Sequence, residues 1–298
     1  MKKYMPLAII AVLVAGNASA DSIYINVGND YESSASDNAQ SVNDTSTGWF
    51  DSLQITYNSE TVFSDANNDG FFSAGDTFSS DAGLALGTTF ADLNGSHATN
   101  LNGGFFPGEN GFNETDAGQG WTITFGISNL TGQVISTGPN PTDLTLAYNS
   151  GTINVYFYEY QGILAPGADI SADLVHLYDL DISGGAPDGD STNFNGDIST
   201  FGAGSINGVA AGDVFNIQYG GSVKTFAEAS LLPGGLLFDM SNDTQGGLFT
   251  SYSGGAGSTE LVEGQHEGSI SYAVPEPTTL AILGLGLLGF AGSRRRNS

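Results

Sequence analysis

Along much of the chain, apolar and polar side chains alternate with a period of two, the mark of strands that rest one face on a core. Ile123, Phe125 and Ile127 share one face of Trp121-Thr122-Ile123-Thr124-Phe125-Gly126-Ile127. Leu144, Leu146 and Tyr148 alternate in the same way, and Ile153, Val155 and Phe157 alternate with Asn154, Tyr156 and Tyr158. Asn149-Ser150-Gly151 falls between these two runs and predicts a hairpin turn. Further strands are predicted over 22–27, 53–57, 174–182, 214–219, 223–227, 236–240 and 269–273. Long helical periodicity is missing. Short strands separated by Gly- and Asn-rich turns predict an all-β fold, a single β-sandwich or jelly-roll-like domain over 21–252. A β-solenoid is the competing architecture, and no fixed repeat period supports it. Exposed loops are expected over 100–120 and 183–207. The polar, Gly-rich stretch 253–267 predicts a path out of the fold, so 253–273 reads as a linker carrying the last strand.

Both ends of the chain break this pattern. Lys2 and Lys3 precede an uncharged apolar run over 6–15, and Ala18-Ser19-Ala20 places small residues at −3 and −1. This predicts a secretory signal peptide over 1–20, removed by signal peptidase after Ala20. The run is too short for a membrane-spanning anchor, which needs about 20 residues. At the other end, Val274-Pro275-Glu276-Pro277 is followed by an apolar stretch over 278–292 and then by Arg294, Arg295 and Arg296. As a helix the apolar stretch would span roughly 22 Å, marginal for a full crossing. The arginines would stay on the cytoplasmic side.

The order of motif, short hydrophobic helix and basic end over 274–298 resembles the PEP-CTERM sorting signal of Gram-negative bacteria. The resemblance implies that an exosortase in the inner membrane recognises the Pro275-Glu276-Pro277 segment, cleaves the tail and passes the protein onward. It implies transient inner-membrane anchoring, then a final place at the cell surface, in the outer membrane or in extracellular matrix. It also implies an association with exopolysaccharide and biofilm.

The charge balance sharpens once the ends are set aside. The chain has 6 Lys+Arg against 32 Asp+Glu. Five of those bases and one acid, Glu276, lie in the two ends, so 21–275 keeps 31 acids and the single base Lys224. Such a surface repels nucleic acid and anionic lipid, and attracts divalent cations. With no cysteine there are no disulfides, and a stretch of this length buries enough surface to do without them.

The strongest local motif is Asp65-Ala66-Asn67-Asn68-Asp69-Gly70-Phe71-Phe72-Ser73-Ala74-Gly75-Asp76. Oxygen-bearing side chains occupy positions 1, 3, 5, 9 and 12 (Asp65, Asn67, Asp69, Ser73, Asp76). Gly70 stands where a calcium loop turns sharply, Phe71 would offer its carbonyl, and Phe72 would pin the loop to the core. The spacing resembles the calcium loops of EF-hand and dockerin modules, with two departures. Asp76 replaces the usual bidentate Glu, and a strand rather than a helix leads in. Calcium is therefore the expected cofactor, and a polar Asx/Gly turn is the bland alternative.

Other constellations are weaker. Asp188, Asp190, Asn193, Asn195 and Asp197 lack a ligand spacing and read as a solvated loop. Gly284-Leu285-Gly286-Leu287-Leu288-Gly289 matches a dinucleotide fingerprint in letters only, because the required strand, helix and downstream acid are missing. His97, His176 and His266 fall in separate segments without evident partners, and Glu159 with Asp179 is the only carboxylate pair worth naming. Tyr156, Tyr158 and Tyr160 share one strand face, which predicts core or a sugar-stacking surface. The leading expectation is a non-enzymatic, calcium-stabilised surface or matrix protein. A carbohydrate-binding module comes second and a secreted glycan hydrolase third.

Overall fold

The computed structural model of the chain describes residues 21–31, 41–102, 110–112, 120–137, 144–160, 164–188, 191–243 and 251–275. The signal peptide and the tail beyond Pro275, with its expected hydrophobic helix, lie outside the described residues. Among the described residues no helix is long and apolar enough to cross a membrane.

The elements are, in order, β1 (Ile23–Ile25), β2 (Ser52–Ser64), β3 (Thr77–Gly83), α1 (Phe90–Gly95), β4 (His97–Asn102), β5 (Trp121–Thr137), β6 (Leu144–Glu159) and β7 (Leu174–Asp188). Then follow β8 (Ser191–Phe201), β9 (Ser205–Ile206), β10 (Val209–Ala210), α2 (Ala211–Val214), β11 (Phe215–Tyr219), β12 (Ser222–Thr225), α3 (Phe226–Ser230), β13 (Leu237–Asp243) and β14 (Thr259–Ala273). The fold is all-β, as the alternation predicts.

The main sheet runs β14-β13-β8-β7-β6-β5-β3-β2, and β14 also pairs with β2 over the whole of β2 from Ser52 to Ser64. The antiparallel sheet thus closes on itself, and its inner face packs against itself as the two sheets of a sandwich do. β4 fills the gap between β2 and β5. Closure removes the unpaired edges through which strands aggregate.

The inner face is aromatic and aliphatic. Phe78 meets Tyr148, Tyr148 meets Phe194, and Tyr57 meets Phe125 through ring contacts at 5.0–5.6 Å. A polar strip lies among them. His266 stacks on Tyr57 and shares a 2.7 Å hydrogen bond with Ser59, while Thr61 and Ser80 bond at 2.9 Å. A small sheet, β1-β11-β12, and α3 cover one part of the ring. Phe215 and Phe226 there pack on Tyr178 and Tyr272, whose hydroxyls bond each other at 2.7 Å.

Five expectations need correction. The turn at Asn149-Ser150-Gly151 does not form, and β6 runs through it. The inward set changes from Leu146 and Tyr148 to Ile153, Val155 and Phe157, a shift from even to odd positions. β5 makes the opposite change, from Ile123, Phe125 and Ile127 to Leu130 and Val134, and the register of the pair breaks between Ser128 and Thr131. A bulge flips the phase of a strand without ending it, and from sequence it looks like a turn.

The expected loop over 183–207 is largely the β7–β8 hairpin. Phe194 and Ile198 face inward while Asn195 and Asp197 face out, so that acidic cluster decorates a strand; Asp190 lies outside the described residues. Gly196 sits between the two apolar residues, where a Cβ would fall 1.8 Å from the Asp181 carbonyl oxygen. Close backbone approach demands glycine and erases the hydrophobic signal.

The linker over 253–273 belongs instead to the sheet, because β14 starts at Thr259 and pairs with β2. Its inward positions include Gly264, His266 and Gly268, which hide the alternation. The strand expected over 223–227 is split. Thr225 and Glu228 form a capping box that starts α3, so β12 stops at Thr225. The loop expected over 100–120 begins as β4, and 103–109 and 113–119 lie outside the described residues.

Candidate functional site

The acidic loop 65–76 joins β2 to β3 and is therefore the connection of a hairpin. Asp65 and Asp76, at its two ends, are 4% and 0% exposed. The Asp65 carboxylate accepts amide N–H groups of Gly70 and Gly257 at 2.8 Å and of Asp69 at 3.2 Å. Burial pushes the Asp65 carboxyl up, but these amides together outweigh it and hold it below the usual carboxylate range. Asp76 accepts the amides of Ser73 at 2.9 Å and Ala66 at 3.2 Å, and the Tyr252 hydroxyl at 3.1 Å. Burial, then Asp76, raise the Tyr252 hydroxyl.

Inside the loop, Asn67 donates to the Ser73 hydroxyl at 2.8 Å, and that hydroxyl donates to Asp69 at 3.2 Å. Gly70 has φ +78°, the left-handed turn its position calls for. Phe72 packs edge-on against Phe63 at 5.0 Å and pins the loop to the core, while Phe71 is exposed. The donor set is all oxygen and suits a hard cation. Its carboxylates are turned towards amides, and among the described residues no three His, Cys, Asp or Glu side chains are placed to hold a metal ion.

A second cluster was not legible in the sequence. The β6–β7 register shifts between Val155 and Tyr156, where Tyr178 and His176 are the successive partners. In a regular strand residues three apart face opposite ways. The bulge puts His176 and Asp179 on one face, 2.7 Å apart. Asn154 from β6 donates to Asp179 at 2.6 Å, and Thr200 from β8 donates to its other oxygen. Burial raises the Asp179 carboxyl, yet the Thr200, Asn154 and His176 hydrogen bonds win and lower it.

The half-buried Tyr156 ring lies 5.4 Å from that of His176. Tyr158 is fully buried in a separate small core with Leu93 and Ile170, and Tyr160 packs against it, so the three tyrosines do not form one open face. Asp179 pairs with Asn154, and Glu159 lies five residues further along β6, about 17 Å away at strand spacing. Glycoside cleavage needs its two carboxyls within about 10 Å.

The third feature is the seam where the two ends of the domain meet. The Asp21 N–H donates to the Tyr272 carbonyl at 2.9 Å, and Val274 N–H donates to the Asp21 carboxylate at 3.0 Å. Tyr272, Ala273 and Val274 are buried. The Pro275 ring lies against Gly234, where an added Cβ would meet it at 3.1 Å. The expected sorting motif thus starts at Val274, directly after the last residue of β14.

A family model for the PEP-CTERM protein-sorting motif matches residues 273–296. The chain carries a PEP-CTERM sorting signal. It is therefore exported and targeted to an exosortase for membrane-associated sorting. The PEP-CTERM match begins at Ala273, the last residue of β14, so no spacer separates the signal from the sheet. Glu276, Pro277 and the arginines Arg294, Arg295 and Arg296 of the PEP-CTERM segment lie outside the described residues, as do Ala18 and Ala20. No curated protein and no solved structure matches the chain.

Proposed function

We propose that this is a non-enzymatic protein of the cell surface or extracellular matrix, released to its place by exosortase and associated with extracellular polysaccharide. The observation that carries the reading is the sorting signal on the closing strand of a strongly acidic, self-closed β-domain. A main sheet closed by the pairing of β14 with β2 leaves fewer strand edges open to aggregation, which suits a chain that must stay folded outside the cell. Fractionation of an exosortase-bearing host tests it. The full chain should reach the surface or matrix fraction, and a chain lacking 276–298 should not. Equal distribution of the two forms would sink the reading.

Calcium belongs to the same proposal, as ligand of the loop 65–76. The spacing of six oxygen donors supports it, as does the burial of Asp65 and Asp76, with no Lys or Arg paired to either among the described residues. Asp65, Asn67, Asp69, Ser73 and Asp76 would supply side-chain oxygens and Phe71 its carbonyl, with the Asp65 and Asp76 carboxylates turning from their amides. Calorimetric titration with calcium chloride should show heat that is lost in an Asp65→Ala, Asp69→Ala double variant. Absence of heat at millimolar calcium would end the calcium proposal and leave the sorting proposal intact.

A further inference from the structure

The outer face of the main sheet changes character from strand to strand. Over β5 it is covered. The Thr124 hydroxyl donates to the Ser96 carbonyl just after α1, and a Cβ on Gly126 would fall 2.8 Å from the Ala85 amide nitrogen. The segment 84–96 thus forms a ledge along β5. Beside it, β6, β7 and β8 turn polar side chains outward in two rows. Asn154, Asp179 and Thr200 are successive cross-strand partners, and so are Thr152, Asp181 and Asp197. Asp179 joins the first row by accepting from Asn154 and Thr200, and in the second Thr152 donates to Asp181 at 3.2 Å. At the head of the rows the half-buried Tyr156 ring lies 5.4 Å from the ring of His176, which bonds Asp179.

Two features say what this face takes. A half-buried aromatic ring next to side chains that both donate and accept suits the flat faces and hydroxyl rims of sugars. Asp181 and Asp197 are exposed and directly opposite each other on strands about 4.8 Å apart, a like-charge pair that repels until a cation sits between them. The 31 acids of 21–275, set against Lys224 alone, repel an anionic polymer.

We propose that the outer face of β6–β8 binds a glycan chain bearing free amino groups. One sugar ring stacks on Tyr156, its hydroxyls bond Asn154, Asp179 and Thr200, and an ammonium further along the chain sits between Asp181 and Asp197. This rests on the polysaccharide association proposed above and names its polymer class and its residues. The β2–β14 pair supplies a comparison within the same molecule. Glu60 stands opposite Glu263 there too, but the next row outward is Val62 with Leu261, where β6–β8 has a hydrogen-bonded row and a tyrosine.

The test is calorimetric titration of the purified full chain, in mild detergent, with a glucosamine oligosaccharide and with N-acetylglucosamine and glucose oligosaccharides of matched length and linkage. The glucosamine chain should bind, about ten-fold more weakly in Tyr156→Leu and about five-fold more weakly in Asp181→Asn. Glu263→Gln, which removes the same charge elsewhere, should bind as wild type. Asp181→Asn changes an exposed residue and keeps the test decisive should Tyr156→Leu fail to fold. Equal weakening by Asp181→Asn and Glu263→Gln would reveal general charge attraction and overturn the site. Equally tight binding of the uncharged chains would overturn the amino-glycan class, and heat from none of the three would overturn the inference. Co-sedimentation of the exported chain with the host's extracellular polysaccharide tests the underlying association separately. Its absence overturns both, whereas co-sedimentation undiminished in Asp181→Asn overturns the site alone.

Discussion

Val274 donates its amide N–H to the Asp21 carboxylate at 3.0 Å, across 253 positions of sequence. The hydrogen bond ties the first described residue to the segment that opens the sorting motif. Removing the acceptor in Asp21→Ala takes from the amide of the buried Val274 its hydrogen-bond partner. The expected loss is about 1–2 kcal/mol, read as a lower urea midpoint with unchanged slope.

The loop 65–76 should be a stability element whether or not calcium is present. Asp76→Ala removes the acceptor of two amides and of the Tyr252 hydroxyl at a fully buried position. A cost of about 3 kcal/mol is expected, against about 1 kcal/mol for Tyr252→Phe, which loses a single bond. Calorimetric melting in the presence of a chelator checks the ranking.

Acid should weaken the fold partly through Asp179. Its carboxyl is lowered in the folded state, so its contribution is complete above the ordinary carboxylate range near pH 4 and is lost as pH falls through the lower folded value. Asp179→Ala should therefore be less stable at pH 7 and show a shallower decline between pH 5 and 3. Parallel acid titrations by circular dichroism would show the two curves converging; parallel, non-converging curves would contradict the assignment.

At the alkaline end the sign reverses. Burial raises the Tyr57, Tyr178 and Tyr272 hydroxyls. Their neutral forms stabilise the fold fully below about pH 10, and that stability is lost as pH rises through the folded values. Absorbance near 295 nm should show part of the tyrosine population ionising only together with unfolding. Tyr272→Phe leaves the Tyr178 hydroxyl without its 2.7 Å partner and should cost about 1 kcal/mol at neutral pH.

Packing tolerance is sharpest at Gly196. A side chain there would meet the Asp181 carbonyl oxygen at 1.8 Å and the Phe238 ring at 2.8 Å. Gly196→Ala should destabilise by more than about 2 kcal/mol, whereas Gly167→Ala, in open space, should change the melting temperature little.

The sequence by itself determined the strand content, the acidic character, the spacing in 65–76 and the sorting signal. Each is a local pattern, set by the period of a strand, the reach of a short loop or the order of a short motif. Tertiary structure alone decided the neighbours. Alternation at Leu53 and Ile55 says that they face a core, and nothing in it says that β14 will pair there and close the sheet. Bulges near Asn129 and Leu177 shifted the phase of strands, so a continuous β6 read as a hairpin and His176 lost sight of Asp179. Inward glycines such as Gly196 and Gly264 removed the apolar signal where backbones crowd. The contact of Asp21 with Val274 joins the far ends of the domain, and a hydrogen bond between residues so distant leaves no trace in the order of either segment.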